Sequence, residues 1–207
     1  HAPDLLDRQA VQRLIDRLRE THTVLVNELV PDLLTVGQIQ KVLQMLLRER
    51  VCIRDLGTVL EALADAAHAT RDIAQLTELV RTALARPLTQ SFLAPDGNLY
   101  VMTLEPRLEQ TLVEAIQKST EGTYLTLDPQ VSRKLLERIG EEMEKVAARG
   151  FQTVLLTNPQ LRPHLHALVE RFLPHLVVMS YTEVASDAKV QSSGVVRWEP
   201  AAQEARR

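Results

Sequence analysis

The sequence predicts a mixed α+β protein, with an all-helical subdomain over residues 1–94 followed by a small α/β subdomain over residues 95–198. Two observations carry this prediction. Apolar residues recur at helical spacing up to about residue 94, and beyond it helical stretches alternate with short β-branched runs, which favours a short mixed sheet covered by helices. The Asp-Gly turn in "APDGNL" marks the boundary, and residues 199–207 are predicted to form a flexible polar tail.

Composition limits the classes of protein that need to be considered. The chain has 207 residues, of which 45% are hydrophobic and only 3% aromatic, so its cores must be aliphatic. A net charge of −3 argues against general binding to a phosphate backbone. The single cysteine, Cys52, excludes an intrachain disulfide and a thiolate zinc site. The first residue is not Met, from which we expect a piece of a longer protein.

The helical part contains four strong amphipathic stretches and one short one. In order, they are "DRQAVQRLIDRLRE", "VLVNELVP", "TVGQIQKVLQMLLRE", "DLGTVLEALADAA" and "RDIAQLTELVRTALAR". Thr35 and Gln38 have the spacing of a capping box, and Asp55 and Asp72 stand where N-caps are expected. Pro87 is expected to end or kink the last helix, because proline lacks the N–H donor and clashes with the preceding turn.

The second part alternates between strands and helices. "LYVMTL" predicts a strand, "EPRLEQTLVEAIQK" a helix with Pro106 in its first turn, and "DPQVSRKLLERIGEEMEKVAARG" a long helix from Asp128 to Gly150. "TVLLT" and "LVVMS" predict buried strands, and "KVQSSGVV" an edge strand. Asn158 and Pro159 predict the cap and first turn of the helix between the last two buried runs.

No arrangement of residues points to catalysis, a metal or a cofactor. His164 and His166 are two apart and face different sides of a helix, so they cannot chelate one ion. Cys52, between Val51 and Ile53, is expected to be a small buried residue. Glycines are dispersed, and no phosphate loop or nucleophile motif occurs. A DNA-reading helix–turn–helix is disfavoured because the second helix carries Glu61 and Asp65, which phosphate would repel.

A charged corner between the third and fourth helical stretches is the remaining candidate for function. It lies in "RERVCIRD", and charged residues of the following helix are expected nearby. One interpretation is that of helix ends with local ion pairs, and the other is an interface with a subunit or partner, where arginine is enriched. The candidate contact residues are Arg48, Arg50, Arg54, Asp55, Glu78 and Arg81.

Several blocks resemble the FlhA flagellar export-gate family of bacterial type III secretion. They are "ELVPDLL", "KVLQMLLRERVCIRDLGTVLEALADAA", "LTELVRTALAR" and "VLLTNPQLRPHLHALVERFLPHLVVMSYTEV", and they occur in the family's order. The similarity runs from Asp7 to Val196. The virulence (injectisome) branch shares this architecture, but "LARPLTQSF" and "DGNLYVMTLEPRLEQTL" look more like the flagellar branch.

The resemblance implies a non-enzymatic part of an export platform. In the family, these residues would be the third and fourth cytoplasmic subdomains of a protein anchored in the inner membrane by a preceding region. The full protein forms a nine-membered ring, which receives chaperone–substrate complexes and works with components of the export ATPase complex, without a cofactor or nucleic acid. The six corner residues are then expected to contribute to ring contacts. The alternative is a helical adaptor module, unrelated to secretion, that binds a partner helix through an apolar groove.

Overall fold

The computed structural model describes residues 5–119 and 122–198, which fall into two compact units, His1–Leu88 and Thr89–Arg207. The change of unit thus falls six residues before the predicted position at 94. Residues from Thr89 onward belong with the second unit because the Thr89 hydroxyl accepts the Ala185 N–H at 2.9 Å and donates to the Glu183 carbonyl at 3.3 Å.

The first unit is entirely helical in its described residues. Its elements are α1 (Arg8–Arg19), α2 (Thr23–Glu28), a π-helical turn (Leu29–Leu33), α3 (Val36–Arg48), α4 (Leu56–Ala67) and α5 (Ile73–Ala83), and α6 (Ala85–Ser91) crosses into the second unit. Helix α3 packs against α1 and α5, while α4 packs against α2 and α5. None of the helices in the described residues is long and apolar enough to span a bilayer.

The predicted caps of this unit are confirmed. The Thr35 hydroxyl accepts the Gln38 N–H, and the Gln38 side chain accepts the Thr35 N–H at 2.9 Å, which completes the capping box. Asp72 caps α5 by accepting the Gln75 N–H at 2.8 Å. The helix break predicted at Pro87 falls at Leu84, since proline cannot donate to the Ala83 carbonyl and clashes with it.

An aliphatic core holds the helices together, as the scarcity of aromatic residues requires. Burying each such side chain stabilises the fold by about 1.5–3 kcal/mol relative to exposure. The large side chains with zero exposure in this unit are those of Val11, Ile15, Val26, Leu29, Leu34, Ile39, Val42, Leu43, Leu46, Val59, Leu60, Leu63, Leu76 and Val80. Most residues of the apolar faces that the spacing predicts are among them. Leu14 and Leu79 are exceptions, since the spacing places them on these faces but they are 37% and 46% exposed.

The second unit is an α/β layer. Its elements are β1 (Asn98–Leu104), α7 (Pro106–Glu114), β2 (Ile116–Ser119), β3 (Gly122–Leu125), α8 (Pro129–Ala148), β4 (Val154–Thr157), α9 (Arg162–Val169), β5 (Val177–Ser180), the 3₁₀ turn Tyr181–Glu183 and β6 (Lys189–Val196). Four strands form a parallel sheet in the order β5-β4-β1-β6, and β2 pairs with β3 in a separate antiparallel hairpin. The mixed fold class is therefore confirmed, with β6 at a sheet edge as predicted.

Two local predictions in this unit are wrong. The helix predicted to continue through residue 118 ends at Glu114, and the chain forms the β2–β3 hairpin, whose strands lack the apolar alternation that signals a strand. The helix predicted to begin after Asn158 begins at Arg162. Asn158 instead accepts the Gln160 N–H at 2.8 Å in a turn that precedes the helix.

A fully buried ion pair lies near the carboxyl ends of the strands. Arg162 Nε is 3.6 Å from Glu183 Oε1, and each side chain is only 1% exposed. The Ser180 hydroxyl also donates to Glu183 Oε1 at 2.9 Å. This pair links α9 to the chain that follows β5. The tail predicted at residues 199–207 lies outside the described residues.

We expect Glu183→Ala to lower the free energy of unfolding of the second unit by about 3–5 kcal/mol, because it leaves the buried Arg162 without its carboxylate. Trp198, the only tryptophan, packs against the core of this unit, so urea denaturation followed by its fluorescence reports on this unit. The exposed Glu144→Ala is the control, with an expected change within about 0.5 kcal/mol. Equal effects of the two substitutions would contradict the role assigned to the pair.

Candidate functional site

Four of the candidate residues lie at the corner where α3 ends and α4 begins, and Arg81 reaches this corner through Glu49, but their environments differ. Arg48, Arg50, Arg54 and Asp55 are exposed. Glu78, on α5, is half-buried. Arg81, also on α5, is only 3% exposed. The exposed residues are available to a partner, whereas Arg81 lies inside the helical unit.

The corner begins with a tight helix C-terminus. The Val51 N–H donates to the Leu46 carbonyl at 2.8 Å, and the Arg50 N–H donates to the Leu47 carbonyl at 3.0 Å. These two bonds define a Schellman motif, in which the residue at Arg50 must adopt a left-handed conformation. Arg50 has φ of 59° and is the one non-glycine residue with positive φ among those described. Glycine is the usual residue there, and a side chain costs about 1–2 kcal/mol.

An extended segment follows the motif and determines which side chains face outward. Val51 is buried, Cys52 is exposed and Ile53 is half-buried, while Arg54 is exposed. The expectation that Cys52 would be buried is therefore wrong. Val51 and Cys52 are adjacent in an extended chain, where successive side chains point to opposite faces. Cys52 thus lies on the surface between two exposed arginines.

A buried ion pair lies beneath the surface of the corner. Arg81 Nη1 lies 2.8 Å from Glu49 Oε2, with the two side chains 3% and 11% exposed. This contact joins the end of α3 to the end of α5, 32 residues later in the chain. Glu49 is not one of the six candidate contact residues. The position of Arg81 indicated that it would be buried and would need an acidic partner. Arg81 follows Val80 and lies four residues after Thr77, on the buried face of α5.

Asp55 closes the corner by capping α4. Its carboxylate accepts the Thr58 hydroxyl at 2.8 Å and the Thr58 N–H at 3.1 Å, so the predicted N-cap is confirmed. These two hydrogen bonds, with a smaller contribution from the charge of nearby His22, hold the pKa of Asp55 below its ordinary value of 3.8. The carboxylate is therefore charged at neutral pH and engaged with its own helix.

The corner presents net positive charge. Glu49 is paired with Arg81, whereas Asp55 accepts its hydrogen bonds from the neutral Thr58 and keeps its negative charge. Arg48, Arg50 and Arg54 have no ion pair with any residue that the structure describes, so Asp55 offsets only part of their charge. We call these three arginines the cationic corner. Such a surface can form charge-assisted hydrogen bonds with carboxylates.

Elsewhere, the described residues offer little for chemistry. No group of three or more His, Cys, Asp or Glu within 5–119 and 122–198 is arranged to hold a metal ion. Desolvation, and to a lesser extent the charge of Arg162, lower the pKa of His164, which favours its neutral form. A polar cluster in the second unit centres on Glu109, whose Oε1 accepts the Thr157 hydroxyl at 2.7 Å and the Asn158 N–H at 2.8 Å. These bonds connect α7 to the end of β4, a structural role.

Comparison with known proteins establishes the class. Residues 1–189, which are most of the chain, match the FHIPEP family, and the protein therefore belongs to that family.

Curated relatives with similar sequences are flagellar biosynthesis proteins. The chain is 41% identical to the flagellar biosynthesis protein FlhA of Bacillus subtilis over 95% of its own length, and 36% identical to that of Escherichia coli K12 over 95%. These alignments cover 29% and 28% of the two relatives, so the chain spans less than a third of their length.

Solved structures with the same fold come from type III secretion proteins. The Chlamydia pneumoniae CdsV protein in complex with CdsO matches with a TM-score of 0.87 and 28% identity, covering 95% of this chain and 57% of that one. The nonameric EPEC SctV-C matches with a TM-score of 0.85 and 27% identity, covering 94% and 58%.

We expect Arg81→Met to lower the free energy of unfolding of the helical unit by about 3 kcal/mol, because Glu49 is left partly buried without its cation. Residues 5–88 contain no Phe, Tyr or Trp, so Trp198 fluorescence does not report on this unit. Urea denaturation followed by far-UV circular dichroism measures its loss of helix. Arg138→Met, which breaks an exposed pair, is the control at about 0–1 kcal/mol. A loss no larger than the control's would contradict the supporting role of Arg81.

We expect Asp55→Asn to remove a pH-dependent part of the stability while preserving an N-cap, since asparagine also caps helices. A carboxyl whose pKa is lower in the folded state contributes stability that is fully present above its ordinary pKa and is lost as the pH falls through the folded-state pKa. Unfolding of both proteins should be measured by circular dichroism from neutral pH to roughly pH 2. Their difference should be constant near neutrality and shrink below pH 3.8. A difference that is independent of pH would refute this assignment.

Proposed function

We propose that the chain is a non-enzymatic part of the cytoplasmic platform of a bacterial flagellar type III export gate. The observation that carries the proposal is the 41% identity to the Bacillus subtilis flagellar protein along 95% of this chain. In this proposal, the helical unit and the α/β unit correspond to the third and fourth cytoplasmic subdomains. A preceding region would anchor the platform at the inner membrane.

The proposed role is to build a ring and to contribute to the docking and handover of chaperone–substrate complexes. Support for a ring comes from relatives of the same fold, since EPEC SctV-C is described as nonameric. Support for a contact with another protein comes from the complex of the related CdsV with CdsO. The exposed members of the six candidate residues would contact a neighbouring subunit, and Arg81 would act indirectly by holding Glu49 and the corner in place.

The equivalent gate component of a virulence type III system is the second candidate. The structural neighbours favour it, because SctV-C and CdsV share the fold with TM-scores of 0.85 and 0.87. Sequence identity favours the flagellar branch, at 41% to the Bacillus protein against 27–28% to those two neighbours. Identity at this level follows descent more closely than fold similarity does, so we place the flagellar role first.

A chimera tests the proposal in cells. The matching C-terminal segment of the Bacillus subtilis protein is replaced by this chain, and secreted flagellin and swimming are measured. We expect secretion to be restored in part, because the segment would supply the same platform surfaces. The control replaces the segment with the equivalent residues of SctV-C, for which we expect much less secretion. A chimera that accumulates to normal levels but secretes no flagellin, or no more than the control, would refute the flagellar assignment.

A binding experiment addresses docking separately. Purified chaperone–substrate complexes are captured with this chain and, in parallel, with the longer cytoplasmic portion of the chimera. We expect only the longer portion to bind, because in this proposal the main docking surface lies upstream of this chain. Binding to this chain alone would move a docking surface into its α/β unit.

A further inference from the structure

We propose that the cationic corner of one copy of this chain binds Glu61 and Asp65 on helix α4 of a second copy. This inference deepens the proposed ring assembly and rests on it. It names the two surfaces that meet, and therefore the direction in which one copy follows the next. The contact is between arginine guanidinium groups and carboxylates, which form charge-assisted and often bidentate hydrogen bonds.

The cationic corner carries net positive charge. Its three arginines are exposed and have no ion pair within the described part of the chain. Of the two nearest carboxylates in sequence, Glu49 is paired with Arg81 at 2.8 Å, and Asp55 keeps its negative charge because its hydrogen-bond donor, Thr58, is neutral. One carboxylate balances only part of the charge of three arginines, and an acidic surface from outside would balance the rest.

The backbone of Arg50 has a conformation that is unfavourable for a residue with a side chain. With φ of 59°, this residue occupies a position where glycine is usual and a side chain is unfavourable. The Arg50 side chain makes no polar contact with the described residues that would offset this cost. Because the Schellman motif holds the backbone, the side chain projects from a rigid support. Its contribution is thus expected in a contact that the isolated chain does not contain.

The acidic surface is on the helix that begins at the same corner. Glu61 and Asp65 are exposed and four residues apart, so they lie on one side of α4. Neither makes an ion pair with the described residues, and two like charges at this spacing repel each other. At a rise of 1.5 Å per residue, they lie roughly 9 and 15 Å along the helix from Asp55. The cationic and acidic surfaces are therefore separate patches of one rigid unit.

Two different patches on one unit give a head-to-tail contact. Such a heterologous interface repeats around a closed ring or along an open filament, unlike the self-complementary interface of a two-fold dimer. Charge pairs of this kind determine register and partner choice more than they supply affinity. A second copy is favoured over an unrelated acidic partner because the complementary surface is present on the same chain.

Cys52 makes the contact measurable. It is exposed, lies between Arg50 and Arg54, and is the only cysteine in the chain. The native chain is mixed with a tagged chain that carries Cys52→Ser and Ala69→Cys, and a short bismaleimide is added. Ala69 is exposed and four residues after Asp65, so this variant keeps both carboxylates of the acidic surface. We expect a crosslinked heterodimer that contains one chain of each kind. Each chain treated alone should give much less product, because the contact is head to tail. The matched control replaces Ala69→Cys with Glu144→Cys, which is exposed on α8.

Charge reversal then tests whether the pairing is electrostatic. Arg50→Glu with Arg54→Glu in the native chain should reduce the yield several-fold, and so should Glu61→Lys with Asp65→Lys in the tagged chain. Combining the two sets should restore the yield, because the charges are again complementary. Arg50→Gly should also reduce the yield while raising the thermal unfolding midpoint, since glycine suits the left-handed position. That variant separates loss of contact from loss of folding.

Two results would overturn the inference. One is a yield in the mixture no higher than that of the Glu144→Cys control, and the other is a yield that does not respond to charge reversal. The chimera experiment is independent, because it asks whether the segment supports flagellin secretion whatever residues the copies use. Crosslinking without secretion would refute the proposed function alone. Secretion without crosslinking would refute this contact alone.

Discussion

The buried ion pair between Glu49 and Arg81 is the interaction on which the corner with the candidate contact residues depends. It joins the C-terminal ends of α3 and α5, with a distance of 2.8 Å between Arg81 Nη1 and Glu49 Oε2. Because a charge buried without its partner is strongly unfavourable, the two helix ends are held together. The chain turns at Arg50, directly after this pair, through the hydrogen bonds of the Schellman motif. Arg48, Arg50 and Arg54 are exposed around this turn.

The two units are stabilised by different sets of interactions. The helical unit relies on aliphatic side chains spaced along its helices and on capped helix ends. The α/β unit buries a parallel sheet, in which all four residues of β4 are inaccessible, and adds the Arg162–Glu183 pair with each side chain 1% exposed. In both units, a buried arginine ties a helix to a distant part of the chain. Each exposed surface is therefore presented by a rigid support.

Rigid supports suit a protein that acts through contacts. Hydrogen bonds hold the corner at both ends, through the Schellman motif before Val51 and the Asp55 cap after it. Because the backbone is already ordered, binding has to fix only the arginine side chains and not the segment that carries them. The same organisation would allow successive copies in a platform to meet in one register.

The sequence by itself determined the helices and most strands, because apolar spacing and capping residues act locally. Thr35, Asp55 and Asp72 each cap a helix as their positions indicate. It also determined the family, through long blocks in the right order. Three features were decided by the folded structure: the β2–β3 hairpin, the exposure of Cys52 and the burial of Arg81. The burial of Arg81 depends on a glutamate 32 residues away, and local spacing does not indicate such a pairing. Cys52 is exposed because the core takes the adjacent Val51, and successive side chains of an extended segment point to opposite faces. The hairpin is a local pairing, but its strands lack the apolar alternation by which a strand is predicted.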